Sequence, residues 1–398
     1  MKSIKEIYKI GHGPSSSHTL GPKLAAEYVD NKYKDSDYIE VTLYGSLSLT
    51  GRGHLTDYII YETLKDKCKV IFDNSFDIEH PNTLKFKVYK NNVLIGIETV
   101  YSIGGGFIKI KGEKEEESLD LYKETTFDEI KRTIKEKNIS LSDYIYSIED
   151  SSFKEYLDLV YNTMLNSIEN GISKEGYLPG SLKVKRKAYD LYSQKRVFES
   201  PQVRETRLLA SYAYAVSEEN ASGGLIVTAP TCGASGVVPA VLKHLKDNNI
   251  PYENMINGLA VAGLVGNLIK ENASISGAEC GCQAEVGSAC SMAAALYCYA
   301  TETTIEQLEV AMEMAMEHNL GLTCDPVEGY VQIPCIERNA VAALRAVDVA
   351  VIASTLTNHE AKVSFDAVTK TMYETGKSLN SDYRETSIGG LAKTLKKD

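Results

Sequence analysis

The sequence predicts two domains of different fold class: an α/β domain over residues 1–145, followed by an all-α domain over residues 146–398. Composition is the first observation, because residues 1–200 hold 3 of the 31 alanines and 17 of the 25 tyrosines of the 398-residue chain. Short segments that alternate apolar and polar residues in the first part are the second observation. The third is helical spacing of apolar residues in the second part, which is rich in alanine and methionine.

Two strands and a hairpin are predicted in the first domain. Residues 39–44 and 84–88 alternate apolar and polar side chains, which is typical of half-buried strands. Asn91 and Asn92 then predict a turn that leads into residues 93–103. From Gly112 to residue 150 the chain is charged and non-periodic, so we expect surface loop, short helices and the domain boundary there.

Helices are predicted throughout the second domain. Thr303 and Glu306 form a capping-box pattern ahead of an apolar stripe, and Asn319 and Gly321 predict the end of that helix. A buried, strand-like run is expected at the start of residues 226–236. Small residues would allow close packing of two further helices, at residues 289–300 and 340–353.

Charge and composition exclude several classes of function. The chain has 43 Lys and Arg against 54 Asp and Glu, a net charge of −11, so a general attraction to nucleic acid or to an anionic membrane is not expected. The first residues lack the apolar region of a secretory signal, and no apolar stretch reaches the roughly 18–20 residues that span a membrane. These features predict a cytoplasmic protein. In that reducing compartment, clustered cysteines are expected to serve a metal, a cluster or catalysis.

Seven of the eight cysteines lie after residue 200, and three of them occupy loop–helix junctions. Cys282 lies in a glycine-flanked turn, Cys324 lies past a helix end, and Cys335 begins a helix. Backbone N–H groups at such positions favour a thiolate, so each residue is a candidate metal ligand. The spacing matches no zinc-finger or ferredoxin pattern, and buried cysteines often pack as small apolar residues. That second interpretation is preferred for Cys68, Cys290 and Cys298.

Two stretches of the first domain contain residues that bind anions or move protons. A loop that leads into a helix has hydroxyls and free backbone amides suited to a carboxylate or phosphate, and it comprises Ser15, Ser16, Ser17, His18 and Thr19. A capped helix with Thr19 as N-cap is the alternative. His54 lies between glycine and a Thr-Asp pair, and histidine is the common general base near neutral pH, although most single histidines are structural.

Ordered blocks along the chain include Gly13-Pro-Ser-Ser-Ser-His-Thr, Tyr44-Gly-Ser-Leu-Ser-Leu-Thr-Gly-Arg-Gly-His, Asn272-Ala-Ser-Ile-Ser-Gly-Ala-Glu, Pro334-Cys-Ile-Glu-Arg-Asn and Tyr383-Arg-Glu-Thr-Ser. Together, from about residue 5 to 392, they resemble the iron-sulfur L-serine dehydratases (L-serine ammonia-lyases). The resemblance implies an N-terminal α/β domain similar to an allosteric substrate-binding domain of phosphoglycerate dehydrogenases. It also implies an all-α domain that holds a [4Fe-4S] cluster.

The resemblance further implies the chemistry and the site residues. Cys282, Cys324 and Cys335 would hold the cluster and leave one iron open as a Lewis acid. His54 would remove the Cα proton, while the loop of residues 15–19 and Asn272 would bind substrate. L-serine would become pyruvate and ammonia, without pyridoxal phosphate, in a homodimer.

The sequence also departs from the family pattern. Cys232 stands where asparagine is common, and Cys280 is an additional thiol, so L-threonine and L-cysteine stay open as substrates. A non-catalytic cysteine-rich sensor or structural zinc protein is a further alternative. Several members carry a cysteine at or near the C-terminus that can occupy the open iron. This sequence ends Leu395-Lys-Lys-Asp, so no such self-inhibition is expected.

Overall fold

The N-terminal part of the chain builds a five-stranded mixed sheet. The computed structural model describes residues 1–75, 78–113, 120–195, 197–357 and 361–395. The described residues form seven strands: β1 (Ile10–His12), β2 (Tyr38–Gly45), β3 (Cys68–Asp73), β4 (Asn82–Lys90), β5 (Val93–Gly104), β6 (Phe107–Ile110) and, later in the chain, β7 (Leu225–Val227). The sheet has the spatial order β3-β2-β4-β5-β6, in which β2 and β3 are parallel and the other pairs antiparallel.

The predicted strands and hairpin are confirmed. Residues 39–44 lie within β2, and residues 84–88 lie within β4. Asn91 and Asn92 have φ values of 50° and 62°, the left-handed backbone that a two-residue hairpin turn requires. Because asparagine adopts this backbone more readily than most residues, the turn joins β4 directly to β5.

Three helices pack on this sheet: α1 (Gly21–Lys32), α2 (Ser46–Thr50) and α3 (Thr56–Leu64). Alternate residues of the strands are buried with them in one hydrophobic cluster, which comprises Ala25, Ala26, Val29, Ile39, Val41, Leu43, Leu47, Ile60, Leu64, Leu84, Phe86, Val88 and Val100. The loop before α1 meets the turn after β2, because His18 Nε2 lies 2.9 Å from Ser46 Oγ. This packing therefore brings two predicted site segments together.

The rest of the described chain is helical except for β7, as expected. Its helices are α4 (Phe127–Lys137), α5 (Leu141–Tyr146), α6 (Phe153–Ile172), α7 (Ala188–Ser193), α8 (Pro201–Ala221), α9 (Val237–Asp247), α10 (Tyr252–Asn272), α11 (Gly277–Cys280), α12 (Ser288–Ala300), α13 (Ile305–Glu317), α14 (Cys335–Thr355), α15 (Phe365–Ser378) and α16 (Gly390–Thr394). Shorter 3-10 and π turns lie at Ile4–Glu6, Ser16–Leu20, Lys65–Lys67, Gln283–Gly287, Val327–Gly329 and Ser381–Tyr383. Among the described residues, none of these helices has both the length and the apolar character to cross a membrane.

Helix α12 lies at the centre of the helical core and confirms the prediction for residues 289–300. It contacts α9, α10, α13 and α14, and most of its side chains are fully buried. Small residues allow this packing: a Cβ atom on Gly258 of α10 would lie 2.8 Å from Leu296 Cδ1 of α12. The predicted helix at 340–353 is also confirmed, as part of α14.

The first eight residues belong to the helical core and not to the sheet. Ile4, Ile7 and Tyr8 are fully buried there, and Tyr8 Oη donates a hydrogen bond to Leu259 O at 2.9 Å. Directly afterwards β1 pairs antiparallel with β7, within the strand-like run predicted at residue 226. The chain therefore passes from the helical part into the sheet part at the serine loop.

The charged region after Gly112 contributes more to the core than the sequence predicted. Residues 114–119 lie outside the described residues. Beyond them, Phe127, Ile130 and Ile134 of α4 are buried in the helical core. These three residues have helical spacing, but the apolar periodicity was not recognised because charged residues lie between them. The core thus includes residues on both sides of position 145, and the domain boundary there stays a prediction.

The capping box predicted at Thr303 and Glu306 is wrong by one residue. Thr304 is the N-cap of α13, and Gln307 returns the hydrogen bond. Thr303 Oγ1 instead donates to Cys298 O at 3.1 Å. Since glutamine serves the motif as well as glutamate does, two overlapping patterns are present, and the end of α12 determines which one is used.

Candidate active site

One cavity lies between the helical core and the loops of the sheet part. Its wall combines thiols, carboxyls, hydroxyls and one imidazole. The lining residues are Pro14, Ser15, Ser16, Ser17, His54, Gly105, Thr231, Gly233, Ile275, Ser276, Gly277, Cys282, Glu285, Cys324, Pro326, Val331, Cys335 and Glu385. The structure thus brings together seven of the residues that the sequence predicted, from two parts of the chain.

The three candidate ligands come from separate segments of the chain, two of them at loop–helix junctions. Cys282 follows Gly281, whose φ of 75° turns the chain after α11. Cys335 is the first residue of α14. Cys324 pairs with the C-terminal segment: its N–H donates to Tyr383 O, and its carbonyl accepts from the N–H of Glu385, both at 2.8 Å. All three cysteines are buried, and none forms a disulfide.

The three thiols compete for protons. A hydrogen bond with the Cys324 thiol and the charge of the Arg338 guanidinium lower the pKa of Cys282. The same hydrogen bond, together with burial, raises the pKa of Cys324 well above its usual range. Burial and the nearby Cys282 do the same to the pKa of Cys335. A metal cation bound by all three sulfurs would replace these protons and so remove the competition for them, because thiols bind metals as thiolates.

The donor set fits a soft metal centre such as the implied cluster. The Sγ atoms of Cys282 and Cys324 and a carboxylate oxygen of Glu285 all lie within 4.8 Å of one another, and Cys335 lines the same cavity. Thiolates select zinc, copper(I) or iron-sulfur clusters. Three cysteines are one fewer than the four that complete a [4Fe-4S] cluster, so one position would have no thiolate.

His54 is buried beside the thiols as a neutral imidazole. Its Nδ1 lies 3.0 Å from Thr50 O, and since a carbonyl can only accept, Nδ1 carries the proton. Nε2 has no hydrogen-bond partner among the described residues, and Glu385 Oε1 lies 3.9 Å from it. Burial lowers the pKa of His54 to about 4. The lone pair of Nε2 is therefore free at neutral pH.

Two residues predicted to bind substrate support His54 instead of lining the cavity. The ring of His18 lies against that of His54, with centroids 4.5 Å apart. Its nitrogens lie 2.8 Å from Ser17 Oγ and 2.9 Å from Ser46 Oγ. Thr19 Oγ1 donates to His54 O at 2.8 Å. Both residues therefore hold His54 in place.

The serine loop presents hydroxyls and amides to the cavity. Ser15 is the N-cap and accepts from the N–H of His18 at 3.1 Å, so the alternative with Thr19 as N-cap is wrong. The N–H groups of Ser16 and Ser17 fall in the first turn, where no carbonyl of the helix can accept them. Ser16 Oγ accepts from the N–H of Cys232 at 3.0 Å, and the Ser16 side chain also hydrogen-bonds the Cys232 thiol.

Asn272 lies outside the cavity, in contrast to the prediction. It is the exposed last residue of α10, and its Nδ2 donates to Leu268 O at 2.9 Å and to Thr125 O at 2.7 Å. These contacts fasten the end of α10 to the segment before α4. The cavity is lined instead by residues 275–277 of the same motif.

Two partly buried carboxyls of the cavity, those of Glu285 and Glu385, were not among the predicted site residues. Glu285 Oε1 accepts from Thr231 Oγ1 at 2.8 Å, and burial raises the pKa of Glu285. Burial, followed by the charges of Glu285 and Cys282, raises the pKa of Glu385 to about 8. Glu285 follows Cys282 by three residues, a helical spacing that could have indicated a shared face. Glu385 offered no signal apart from its motif.

The other cysteines do not line the cavity. Cys232 is buried behind Ser16, and Cys280 packs on α15, where a Cβ atom on Gly376 would lie 2.8 Å from its Sγ. The core positions predicted for Cys290 and Cys298 are confirmed, since both are fully buried in α12. Cys68 is only half-buried, because β3 is an edge strand, but it packs against the hydrophobic cluster of the sheet part.

Comparisons with known proteins agree with this arrangement. The family model "Serine dehydratase alpha chain" matches residues 98–392, and "Serine dehydratase beta chain" matches residues 3–69. L-serine dehydratase of Helicobacter pylori (strain ATCC 700392 / 26695) is 39% identical over 99% of each chain. L-serine dehydratase 2 of Escherichia coli (strain K12) is 40% identical over 98% of each chain. The chain therefore belongs to the serine dehydratase family, with the parts that match the alpha and beta chains joined in one polypeptide.

Proposed function

We propose that this protein is an L-serine ammonia-lyase, which dehydrates and deaminates L-serine to pyruvate and ammonia. One observation carries the proposal: the unpartnered Nε2 of His54 belongs to the cavity that Cys282, Cys324 and Cys335 line. Elimination of water from a β-hydroxy amino acid needs both a base for the Cα proton and assistance to the leaving hydroxyl. The cavity supplies a candidate for each.

Cys282, Cys324 and Cys335 would hold a [4Fe-4S] cluster in this proposal. When bound, the cluster supplies a Lewis acid at the iron without a cysteine, which assists the departure of the hydroxyl, a poor leaving group. The chain's own contribution is a set of three buried thiols. No step in this scheme uses pyridoxal phosphate.

His54 is the proposed general base. Its Nε2 accepts the Cα proton, and the electron pair of the Cα–H bond becomes the second Cα–Cβ bond as the Cβ–O bond breaks. The enamine that remains tautomerises to an imine, and water then releases ammonia and pyruvate. The contacts of His18 and Thr19 keep the imidazole in one orientation, which reduces the entropic cost of reaching the reactive geometry.

The serine loop is the proposed site for the substrate carboxylate. The amides of Ser16 and Ser17 and the hydroxyl proton of Ser16 can donate to its oxygens, and anions bind favourably at such helix starts. The loop lies next to His54, because Thr19 bonds its backbone. A carboxylate held there would place Cα near the base.

L-threonine or L-cysteine is a second candidate substrate, because Cys232 contacts this loop. Its thiol hydrogen-bonds the Ser16 side chain, so the residue at position 232 can alter how the loop holds the carboxylate. Competition among the three amino acids would determine the preference.

Several further expectations accompany the proposal. The mixed sheet with helices packed on it supports similarity to the allosteric substrate-binding domain of phosphoglycerate dehydrogenases. Cytoplasmic location and a homodimer stay predictions. Sedimentation of the purified protein would test the homodimer.

Anaerobic reconstitution tests the proposed function. We expect iron and sulfide in equal amounts, brown absorbance, and pyruvate formation from L-serine that exceeds formation of the corresponding keto acids from L-threonine and L-cysteine. A loaded cluster without turnover of L-serine would reject the proposal. Zinc without sulfide, and no turnover of any of the three, would favour the cysteine-rich sensor.

A further inference from the structure

Arg338 connects the three segments that carry the candidate ligands. It lies on α14, three residues after Cys335 and thus close to the same helix face. Its Nη1 donates to Thr323 O, and its Nη2 donates to Asp325 Oδ1 at 3.2 Å. These partners are the two neighbours of Cys324. The guanidinium also hydrogen-bonds the thiol of Cys282.

The carboxylate of Asp325 is itself fixed on several sides. Its side chain is 3% exposed, against 16% for that of Arg338. Oδ1 also accepts from Thr323 Oγ1 at 3.1 Å, and Oδ2 accepts from the N–H of Leu391 at 2.8 Å. Truncating one member of such a buried pair leaves the other charge unpaired. Because the Asp325 carboxylate is fixed in this way, its hydrogen bond holds the Arg338 guanidinium in one orientation.

We propose that Arg338 is a positioning residue for the metal centre, which sets the relative placement of the three cysteines and donates a hydrogen bond to the sulfur of Cys282. The inference rests on the proposed function in one respect only, namely that these cysteines hold a [4Fe-4S] cluster. It does not depend on the substrate. Nothing in the elimination chemistry itself requires Arg338.

Two physical consequences follow from this role. Residues that orient ligands typically change metal affinity by about 10–100-fold when they are removed. Hydrogen bonds and positive charge near the ligand sulfurs stabilise the reduced, more negative state of a cluster, so their loss makes the reduction potential more negative. Lysine keeps the charge but lacks the planar fork that reaches several acceptors at once.

Arg338→Gln and Arg338→Lys test the inference, and Arg345 offers matched controls. Arg345 lies seven residues later on α14 and donates to His318 O at 2.8 Å; it does not line the cavity of the three candidate ligands. The measurements are iron release to a chelator under anaerobic conditions and the reduction potential of the cluster. Circular dichroism reports whether each variant folds.

We expect Arg338→Gln to release iron about tenfold faster or more and to have a more negative potential than wild type. Arg338→Lys should be intermediate in potential and faster in iron release than wild type. Arg345→Gln and Arg345→Lys should match wild type in both measurements.

Wild-type rates and potentials in Arg338→Gln would overturn the inference. If Arg338→Gln does not fold, Arg338→Lys provides the test. A wild-type rate of iron release and a wild-type reduction potential in Arg338→Lys would equally overturn the inference. A wild-type protein that binds no iron and sulfide would instead reject the proposed cluster. The two failures are therefore distinguishable.

Discussion

The two walls of the cavity are built on different physical principles. The helical wall places Cys282 after a turn and Cys335 at the start of a helix, while backbone pairing with residues 383 and 385 places Cys324. The sheet wall places His54 through hydrogen bonds and ring contacts with His18, Thr19 and Thr50. Local structure thus places two of the three cysteines, whereas a tertiary network places His54.

The metal ligands and the general base should therefore respond differently to substitution. A metal centre needs several ligands at once, so loss of one thiol should remove the whole centre. A base needs one lone pair in a defined orientation, so loss of the imidazole should leave the other wall intact. We therefore predict that loss of a cysteine removes the metal centre, whereas loss of the imidazole leaves the metal centre in place.

The largest expected effect is that of Cys335→Ala. With two cysteines left, we expect the cluster to be lost and pyruvate formation to fall by about a thousandfold or more. Cys290→Ala is the control, because that cysteine is buried in α12 and its Sγ donates to Ala342 O at 3.4 Å. Iron and sulfide counts check both variants. Retention of a full cluster by Cys335→Ala would show that the ligand assignment is wrong.

Ser16→Ala should affect the sheet wall without affecting the cluster. Removal of a hydrogen bond to a carboxylate costs about 1.5–3 kcal/mol, which corresponds to a KM for L-serine about 10–100-fold higher. The kcat value and the iron content should change little. Steady-state kinetics of the reconstituted enzyme check this, and an unchanged KM would place the carboxylate elsewhere.

The pH dependence of stability reports on the buried imidazole. Burial lowers the pKa of His54 from 6.5 to about 4, so between these values the unfolded chain binds a proton that the folded chain does not. The stability from a neutral His54 is thus present above pH 6.5 and lost as the pH falls toward 4, by about 2 kcal/mol between pH 7 and pH 5.

Comparison with His54→Asn isolates this contribution. Urea unfolding of both metal-free proteins at pH 7, 6 and 5 should show the stability difference shifting by about 2 kcal/mol in favour of the variant. A difference that stays constant over this range would mean that His54 is not held neutral.

The smallest expected effect is that of Asn272→Ala. Because the side chain is exposed and bonds only backbone carbonyls among the described residues, KM and kcat for L-serine should stay within about twofold of wild type, with a stability loss of about 1 kcal/mol. Thermal unfolding and steady-state kinetics check this. A large increase in the KM for L-serine would instead indicate that Asn272 binds the substrate.

The helical wall was largely predictable from the sequence, and the sheet wall was not. Cys282 and Cys335 stand at junctions that glycine, proline and helix periodicity mark locally, whereas Cys324 is placed by pairing with residues 383 and 385. The supporting roles of His18 and Thr19 depend on contacts with His54, about 35 residues away in sequence. Glu385 enters the cavity through backbone pairing with Cys324, which no local pattern indicates. Asn272 shares a motif with residues 275–277 but does not line the cavity with them, so nearness in sequence did not give nearness in space.

The central claim is that base and metal centre are separate groups acting on one substrate in one cavity. The most direct test is the His54→Asn protein, reconstituted anaerobically and assayed for iron, sulfide and pyruvate in the same sample as wild type. We predict the wild-type content of iron and sulfide, with pyruvate formation from L-serine lower by about 10²–10⁴-fold. Turnover near wild type with a full cluster would contradict the account.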